Sequence, residues 1–314
     1  MGSGQIAKRA DPTTVSACEV DTFESAVAGL HIEYVRTDGG ERPCVVTFAA
    51  TGDATVSVGS VGFSVIAQTE IPLDRNVFAL IRAAPPGARW NEVELRPGDV
   101  FAYAPGTTFF GVEPARAAAT ILVLPTDYAA SIASDLGLGD PEVGRGVAPL
   151  PASPDVQRLA LSMKRSFERP QFLADQVALA GLVEDAVRVA TRHDISNGHR
   201  SRRLDSRTIV RNCLDYVEST GWRQPAMRAL CRAAFASESR VRRAFIDVVG
   251  VPPIRYLQMR QLSAMRSALI EARPDSTSVT EIAMSLGVTQ LGRVAGRYRS
   301  LYEELPSQTL RNAP

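Results

Sequence analysis

Histidine and cysteine are scarce in this 314-residue chain, and neither is patterned. His31, His193 and His199 are the only histidines, and Cys18, Cys44, Cys213 and Cys231 show no CxxC spacing and have no histidine nearby in sequence. Neither a zinc site nor a disulfide framework is indicated, so the cysteines read as buried, reduced thiols, with a redox-sensing role left open for one of them. His31 alone reads as a structural or surface residue; a metal centre on short strands would want two or three histidines and a carboxylate. The sequence has no GxGxxG, GxxxxGK[ST], GxSxG or HExxH, so it announces no catalytic chemistry and no cofactor. Apolar runs fall short of the roughly 20 residues a membrane helix needs, and the first thirty residues lack a signal-peptide layout. The expectation is a cytoplasmic protein without membrane contact.

A hydrophobic fraction of 45% and a charged fraction of 22% are ordinary for a globular protein, and the length favours two domains over one. The net charge of +1 conceals an uneven distribution. Residues 200–314 hold 19 Arg, no Lys and 10 acidic residues, a net of +9; residues 1–199 hold 16 basic and 24 acidic residues, a net of −8. One end suits a polyanion and the other does not, although a basic surface alone is only a footprint of nucleic-acid binding.

Residues 1–20 are polar and small, and read as a flexible leader outside the fold. From about Leu30 to Pro125 short β-rich runs alternate with turn residues, as in Cys44-Val-Val-Thr-Phe48, Ala54-Thr-Val-Ser-Val58 and Thr120-Ile-Leu-Val-Leu124. Arg96-Pro-Gly-Asp99 and Pro105-Gly106 supply turns where Pro presets φ and Gly accepts positive φ. This predicts an antiparallel β domain. Residues 127–136 and 155–193 then read as helices, with Val156, Leu159, Met163 and Phe167 on one stripe and Val183, Ala186, Val187 and Ala190 on another, interrupted at Pro170. One stripe can pack on the β domain and the other meet a second subunit, or both can be buried within one chain. The polar stretch 194–206 reads as a linker, giving an α+β chain with a sensor or dimerisation domain at 21–193 and a helical domain at 207–314.

In the helical domain Ile209, Cys213, Tyr216 and Val217 open a helix that Gly221 stops, and Pro225 is expected at the first position of the next helix, which runs through Leu230 and Cys231. Ser237 is a plausible N-cap for a helix over 238–248, with Val241, Phe245 and Val248 inward and Ser239, Arg240, Arg242 and Arg243 on the other face. A short helix, a tight turn and an Arg-bearing second helix have the shape of a major-groove reader. The arrangement recurs: Ser278-Val-Thr-Glu281 forms a capping box, Gly287-Val288-Thr289 turns the chain, and a helix from Gln290 carries Arg293, Arg297 and Arg299. Pro252-Pro253 starts a connecting helix over 254–272, about 28 Å long, near the ~34 Å of one DNA turn.

Across roughly residues 209–311 the sequence resembles the AraC/XylS transcription regulators. The resemblance rests on Leu230-Cys-Arg-Ala-Ala-Phe-Ala-Ser237, Arg243-Ala-Phe245, Gly250-Val-Pro-Pro-Ile-Arg-Tyr-Leu257, Ile282-Ala283, Gly287-Val288, Tyr298-Arg299 and Leu305-Pro-Ser307. It implies an all-α double helix-turn-helix domain that binds double-stranded DNA, preceded by a cupin-like antiparallel β-barrel with flanking helices that binds a small-molecule effector or mediates homodimerisation. For an activator it also implies contact with RNA polymerase. Base-facing positions carried over by the resemblance fall on Ser239, Arg240, Arg242 and Arg243 in the first unit, and on Gly292, Arg293 and Gly296 in the second. Ser237, Thr289, Gln290, Arg297 and Arg299 complete the expected DNA-binding set. The family's usual Gly-Phe and internal Phe are Val288 and Val294 here, so the second core is smaller. The first unit is therefore expected to supply most base discrimination.

The barrel's expected lining includes Val46, Phe48, Phe63, Phe101 and Tyr103, with Phe48, Phe63, Phe101 and Tyr103 as candidate effector contacts; such residues can equally fill a core. Two rivals follow. In one the N-terminal domain only dimerises or binds a partner protein; in the other the chain is a cupin-type enzyme, for which the metal ligands are missing.

Overall fold

The computed structural model of the protein describes residues 12–17, 29–40, 42–141, 149–192, 205–220, 225–273, 275, 277–288 and 290–313. Eleven strands are described: β1 (Thr13–Ala17), β2 (His31–Arg36), β3 (Cys44–Thr51), β4 (Ala54–Ser60), β5 (Val65–Glu70), β6 (Arg75–Ala83), β7 (Arg89–Trp90), β8 (Val93–Glu94), β9 (Val100–Tyr103), β10 (Thr108–Glu113) and β11 (Ala118–Pro125). They form two antiparallel sheets, ordered β1-β3-β4-β11-β6-β9 and β2-β5-β10-β7-β8. No strand pairing joins the two sheets among the described residues, so the expected barrel takes the form of two facing sheets. The turns are those expected: Gly98 has φ +97°, and Arg96 and Asp99 bond each other across the loop, Asp99 N to Arg96 O at 3.0 Å and Arg96 N to Asp99 Oδ2 at 3.0 Å.

The expectation of a leader over 1–20 is corrected at Thr13–Ala17. This β-branched stretch pairs residue for residue with β3, and Thr14 Oγ1 meets Thr47 Oγ1 at 2.9 Å, so it covers an edge that would otherwise stand open.

Alternation along the strands sorts side chains into layers. On β6 and β9, Val77, Ala79, Ile81, Phe101 and Tyr103 face the second sheet, while Phe78, Leu80, Val100 and Ala102 face outward. The outward set is covered by α1 (Thr126–Asp135), α2 (Pro154–Glu168) and α3 (Gln176–Arg192). Pro154 begins α2 at its first turn, with Ser153 Oγ accepting from Val156 N at 3.1 Å. Val156, Leu159 and Met163 of one stripe and Val183, Ala186, Val187 and Ala190 of the other enter this same core, so both stripes are buried within the chain.

The C-terminal helices are α4 (Ser206–Ser219), α5 (Met227–Ala233), α6 (Glu238–Val249), α7 (Pro253–Glu271), α8 (Val279–Ser285), α9 (Leu291–Tyr302) and α10 (Pro306–Arg311). Asp205 caps α4 through its side chain, so residues 205 and 206 belong to the helical domain and not to the expected linker. Residues 193–204 and Gly221, the expected stop of the first helix, lie outside the described residues. Pro225 stands just ahead of Ala226, the N-cap of α5, two residues before the N1 site expected for it. Helix α7 serves two cores: Tyr256, Leu257 and Met259 join α4–α6, and Leu262, Met265 and Leu269 join α8–α10.

Phe78 is fully buried between sheet and helices. Phe78→Ala should lower stability by about 3–5 kcal/mol, read as a fall in the urea midpoint of the full chain, while Leu161→Ala on the exposed face of α2 should shift it by less than about 0.5 kcal/mol.

Candidate nucleic-acid interface

Helix α6 is set by its ends. Ser237 Oγ accepts from Arg240 N at 3.4 Å, and Gly250, at φ +81°, closes the C-terminus by donating its N–H to Phe245 O at 3.0 Å and Ile246 O at 3.2 Å. Val241, Ala244, Phe245, Val248 and Val249 are buried. This rotation leaves Ser239, Arg240, Arg242 and Arg243 on the exposed face, where the sequence placed them. Arg242 bonds Glu238 Oε1 through Nε at 2.9 Å and Nη2 at 2.7 Å, and Arg243 Nε reaches Asp247 Oδ1 at 2.8 Å. These i,i+4 pairs are solvent-exposed and worth only about 0.3–0.5 kcal/mol. They hold the guanidiniums extended and yield readily to a phosphate or a guanine edge.

The second unit repeats the plan with weaker ends. The capping box is formed: Ser278 Oγ accepts from Glu281 N at 3.2 Å, and Glu281 Oε2 accepts from Ser278 N at 2.8 Å. These bonds hold the Glu281 carboxyl below its usual range. Gln290 precedes α9 without a side-chain cap bond, although its Oε1 accepts from Arg293 Nη1 at 3.2 Å. Gln290, Arg293, Arg297 and Arg299 are exposed; Thr289 lies outside the described residues. Gly292 and Gly296 are also on the open face, and a Cβ at either would meet nothing within 4 Å. Nothing in this chain requires glycine there. Inward, Tyr298 OH meets Thr309 Oγ1 at 2.8 Å and accepts from Arg266 Nη1 at 3.1 Å, and Arg266 also bonds Glu304 Oε1 at 2.9 Å.

Sequence reasoning passed over Phe235. It occupies the turn before Ser237 in the left-handed region, φ +50°, and is 82% exposed beside the reading helix. A bulky exposed residue in a tight turn was the available signal.

The N-terminal domain holds both units at the C-terminal ends of their reading helices. Val35, Ile66 and Phe110, on the far face of the second sheet, join the core of α4–α7. Arg89 Nη2 donates to Ile246 O at 2.7 Å, where carbonyls at the end of α6 favour a cation. Arg36 lies over the Phe63 ring at 4.2 Å and reaches toward Tyr302 of α9 at 5.8 Å. Between these, Arg260 of α7 is 3% exposed and pairs with Glu33 of β2 and, at 3.1 Å, with Glu218 of α4. Burial disfavours this guanidinium's charge, but Tyr256 and the two carboxylates outweigh it, so its pKa is raised.

The expected effector residues divide. Phe63, Phe101 and Tyr103 are packed solid, the last two in a cluster with Trp90 and Phe109, and Phe48 is half-buried on β3. None of the four lines the cavity between the sheets. That cavity, about 60 Å³, is walled by smaller side chains, among them Ser57, Gly59, Ala117 and Ala119, together with Trp90 and Glu113. The large aromatics fill space, and room exists where residues are small. Burial also pushes the Cys44 thiol up and the Cys213 thiol up to about 12, which disfavours their thiolates; Cys231 is half-buried and Cys18 lies outside the described residues. His31 is exposed at the start of β2, and no group of three or more His, Cys, Asp or Glu that could hold a metal occurs among the described residues. No described helix is long and apolar enough to cross a membrane.

Comparison with known proteins places residues 230–312 in a helix-turn-helix domain family. The chain is 31% identical over 130 residues to a probable thc operon regulatory protein of Rhodococcus erythropolis, covering 40% of this chain and 38% of that one. It is 30% identical over 115 residues to the XylDLEGF operon transcriptional activator 2 of Pseudomonas putida, covering 37% of this chain and 73% of that one. Among solved structures, a probable AraC family transcriptional regulator from Rhodopseudomonas palustris matches 34% of this chain and 98% of its own at 29% identity, with a TM-score of 0.31. The Pseudomonas putida activator is matched over 73% of its length at 30% identity, and with it the chain belongs to the AraC/XylS family of transcription regulators.

Proposed function

We propose that this chain is a sequence-specific DNA-binding transcription regulator, not an enzyme, whose N-terminal domain responds to a small-molecule effector. The carrying observation is the pair of exposed faces on α6 and α9, set at either end of a 19-residue helix in the third of the chain with net charge +9. That helix is about 28 Å long, so the two faces suit successive major grooves. Ser237, Ser239, Arg240, Arg242, Arg243 and Arg293 read bases or fix the register, while Thr289, Gln290, Arg297 and Arg299 contact the backbone. The contact between the second sheet and α6 and α7 supports control by the N-terminal domain, because a shift of that sheet must move both helices. The domain limits 21–193 and 207–314, extended to take in Thr13–Ala17 in the first and Asp205 in the second, belong to this reading, as do a homodimer, contact with RNA polymerase and a cytoplasmic location.

On a panel of altered half-sites, Arg243→Ala should relax sequence preference more than Arg293→Ala, by about 1–3 kcal/mol at one base pair; the reverse order would sink the ranking of the two units. Arg297→Ala and Arg299→Ala should weaken binding to all sequences alike, each lowering the salt slope by about 1, and a flat salt response of the unaltered protein would count against DNA binding altogether. Gly296→Ala should stabilise α9 by up to about 1 kcal/mol in thermal unfolding yet weaken DNA binding if the helix backbone approaches the duplex closely. Unchanged affinity would remove that role for the open glycines.

A further inference from the structure

Among the described residues, Glu113 is the one carboxylate lining the cavity between the two sheets. Glu113 is half-buried, and burial raises its carboxyl above the usual range while the Trp90 bond works the other way. Its Oε1 accepts from Trp90 Nε1 at 3.0 Å, and no Arg, Lys or His among the described residues forms an ion pair with it. Gly111 makes this arrangement possible: it lies opposite Trp90 on the paired strand, and a Cβ there would come within 3.0 Å of both Glu113 Oε1 and Trp90 Cδ1. Nearby, the hydroxyl of Tyr103 is buried without a hydrogen-bond partner. A carboxylate packed among apolar side chains without a counter-ion carries a desolvation cost, which a cation in the cavity would offset.

The rest of the wall states what that something is. Tyr34 and the Trp90 indole bring aromatic surface to the cavity, and Val46, Ile81, Leu95 and Ile121 are aliphatic. Aromatic rings and a carboxylate both attract a cation, whereas the wall carries no Arg or Lys to receive an anion. The volume is about two-fifths of the roughly 150 Å³ of an apolar cavity that admits benzene. It suits an ammonium or amidinium head with its first few carbons.

We propose that the cavity binds a small organic cation, a short aliphatic amine or amidine, with Glu113 as its counter-ion and Trp90 as its aromatic wall. This rests on the reading of the N-terminal domain as an effector domain and names the class of effector.

The test is calorimetric titration of the full chain with n-propylamine, with propionate and n-propanol as controls of like size, repeated on Glu113→Gln and on the cavity-filling Ala119→Leu. Propylammonium should bind the unaltered protein, the two controls should not, and both variants should lose affinity, Glu113→Gln by on the order of thirtyfold. Gln can still accept from Trp90, so a folded Glu113→Gln protein, confirmed by an unchanged circular dichroism spectrum, isolates the charge. Propionate or propanol binding as well as propylamine, full affinity in Glu113→Gln, or no binding of any probe at 50-fold molar excess over the protein, would each overturn the assignment. DNA affinity measured with and without propylamine separates the two readings. Amine binding with unaltered DNA affinity supports the site and removes the effector role, whereas DNA binding with no amine binding overturns the site and leaves the regulator intact.

Discussion

In β2, β5 and β10, consecutive side chains must point to opposite faces, and here each face is buried against a different neighbour. Tyr34 and Ala67 pack toward the first sheet while Val35, Ile66 and Phe110 pack into the core of the first helix-turn-helix unit. The second sheet is therefore a wall of the sandwich and the floor beneath the DNA-binding helices. A shift of its register by one residue would exchange the two sets, placing Val35 and Ile66 in the sandwich and Tyr34 and Ala67 against α4–α7. The order of layers, helices α1–α3, first sheet, second sheet, reading domain, follows from that constraint.

Arg260 marks the centre of the join. A guanidinium at 3% exposure would be expelled by its desolvation were it not for Glu33 from the sheet and Glu218 from α4, each near half exposed. Such a triad adds little net stability compared with apolar packing, while tying α7 to both β2 and α4. Arg89 bonds a carbonyl at the C-terminal end of α6, and Arg36 lies within cation–π range of Tyr302 at the end of α9. On the solvent face of α6, Arg242 and Arg243 are held by exposed pairs with Glu238 and Asp247 along the helix surface.

Local rules made the helical third readable. A 3.6-residue stripe, the Ser278 and Glu281 box and the Ser237 cap each act within one turn, so the sequence carries them whole, and the structure places them within a residue or two. The Arg96 to Asp99 turn was legible for the same reason. What crosses between elements was not. Period-two alternation says that a strand has two faces but not which neighbour covers each, so the pairing of sheet and helices lay beyond reach. Phe63, Phe101 and Tyr103 attracted attention because they are large, and largeness is what makes them core. The cavity is made by Ser57, Gly59 and Ala117, whose smallness carries no signal, and Glu113 reads in sequence as an ordinary polar strand end. Thr13–Ala17 was hidden because an edge strand needs only five residues and a partner.

Strand β7 is two residues long, Arg89 and Trp90. Trp90 belongs to the cavity, and Arg89 holds the carbonyl of Ile246 at the end of the first reading helix. The interior of one domain and the working helix of the other are thus one peptide unit apart, on opposite arms of a seesaw whose pivot is the strand backbone. Neighbouring residues of a strand point to opposite faces, so the indole turns into the cavity while the guanidinium next to it turns out to the end of the helix.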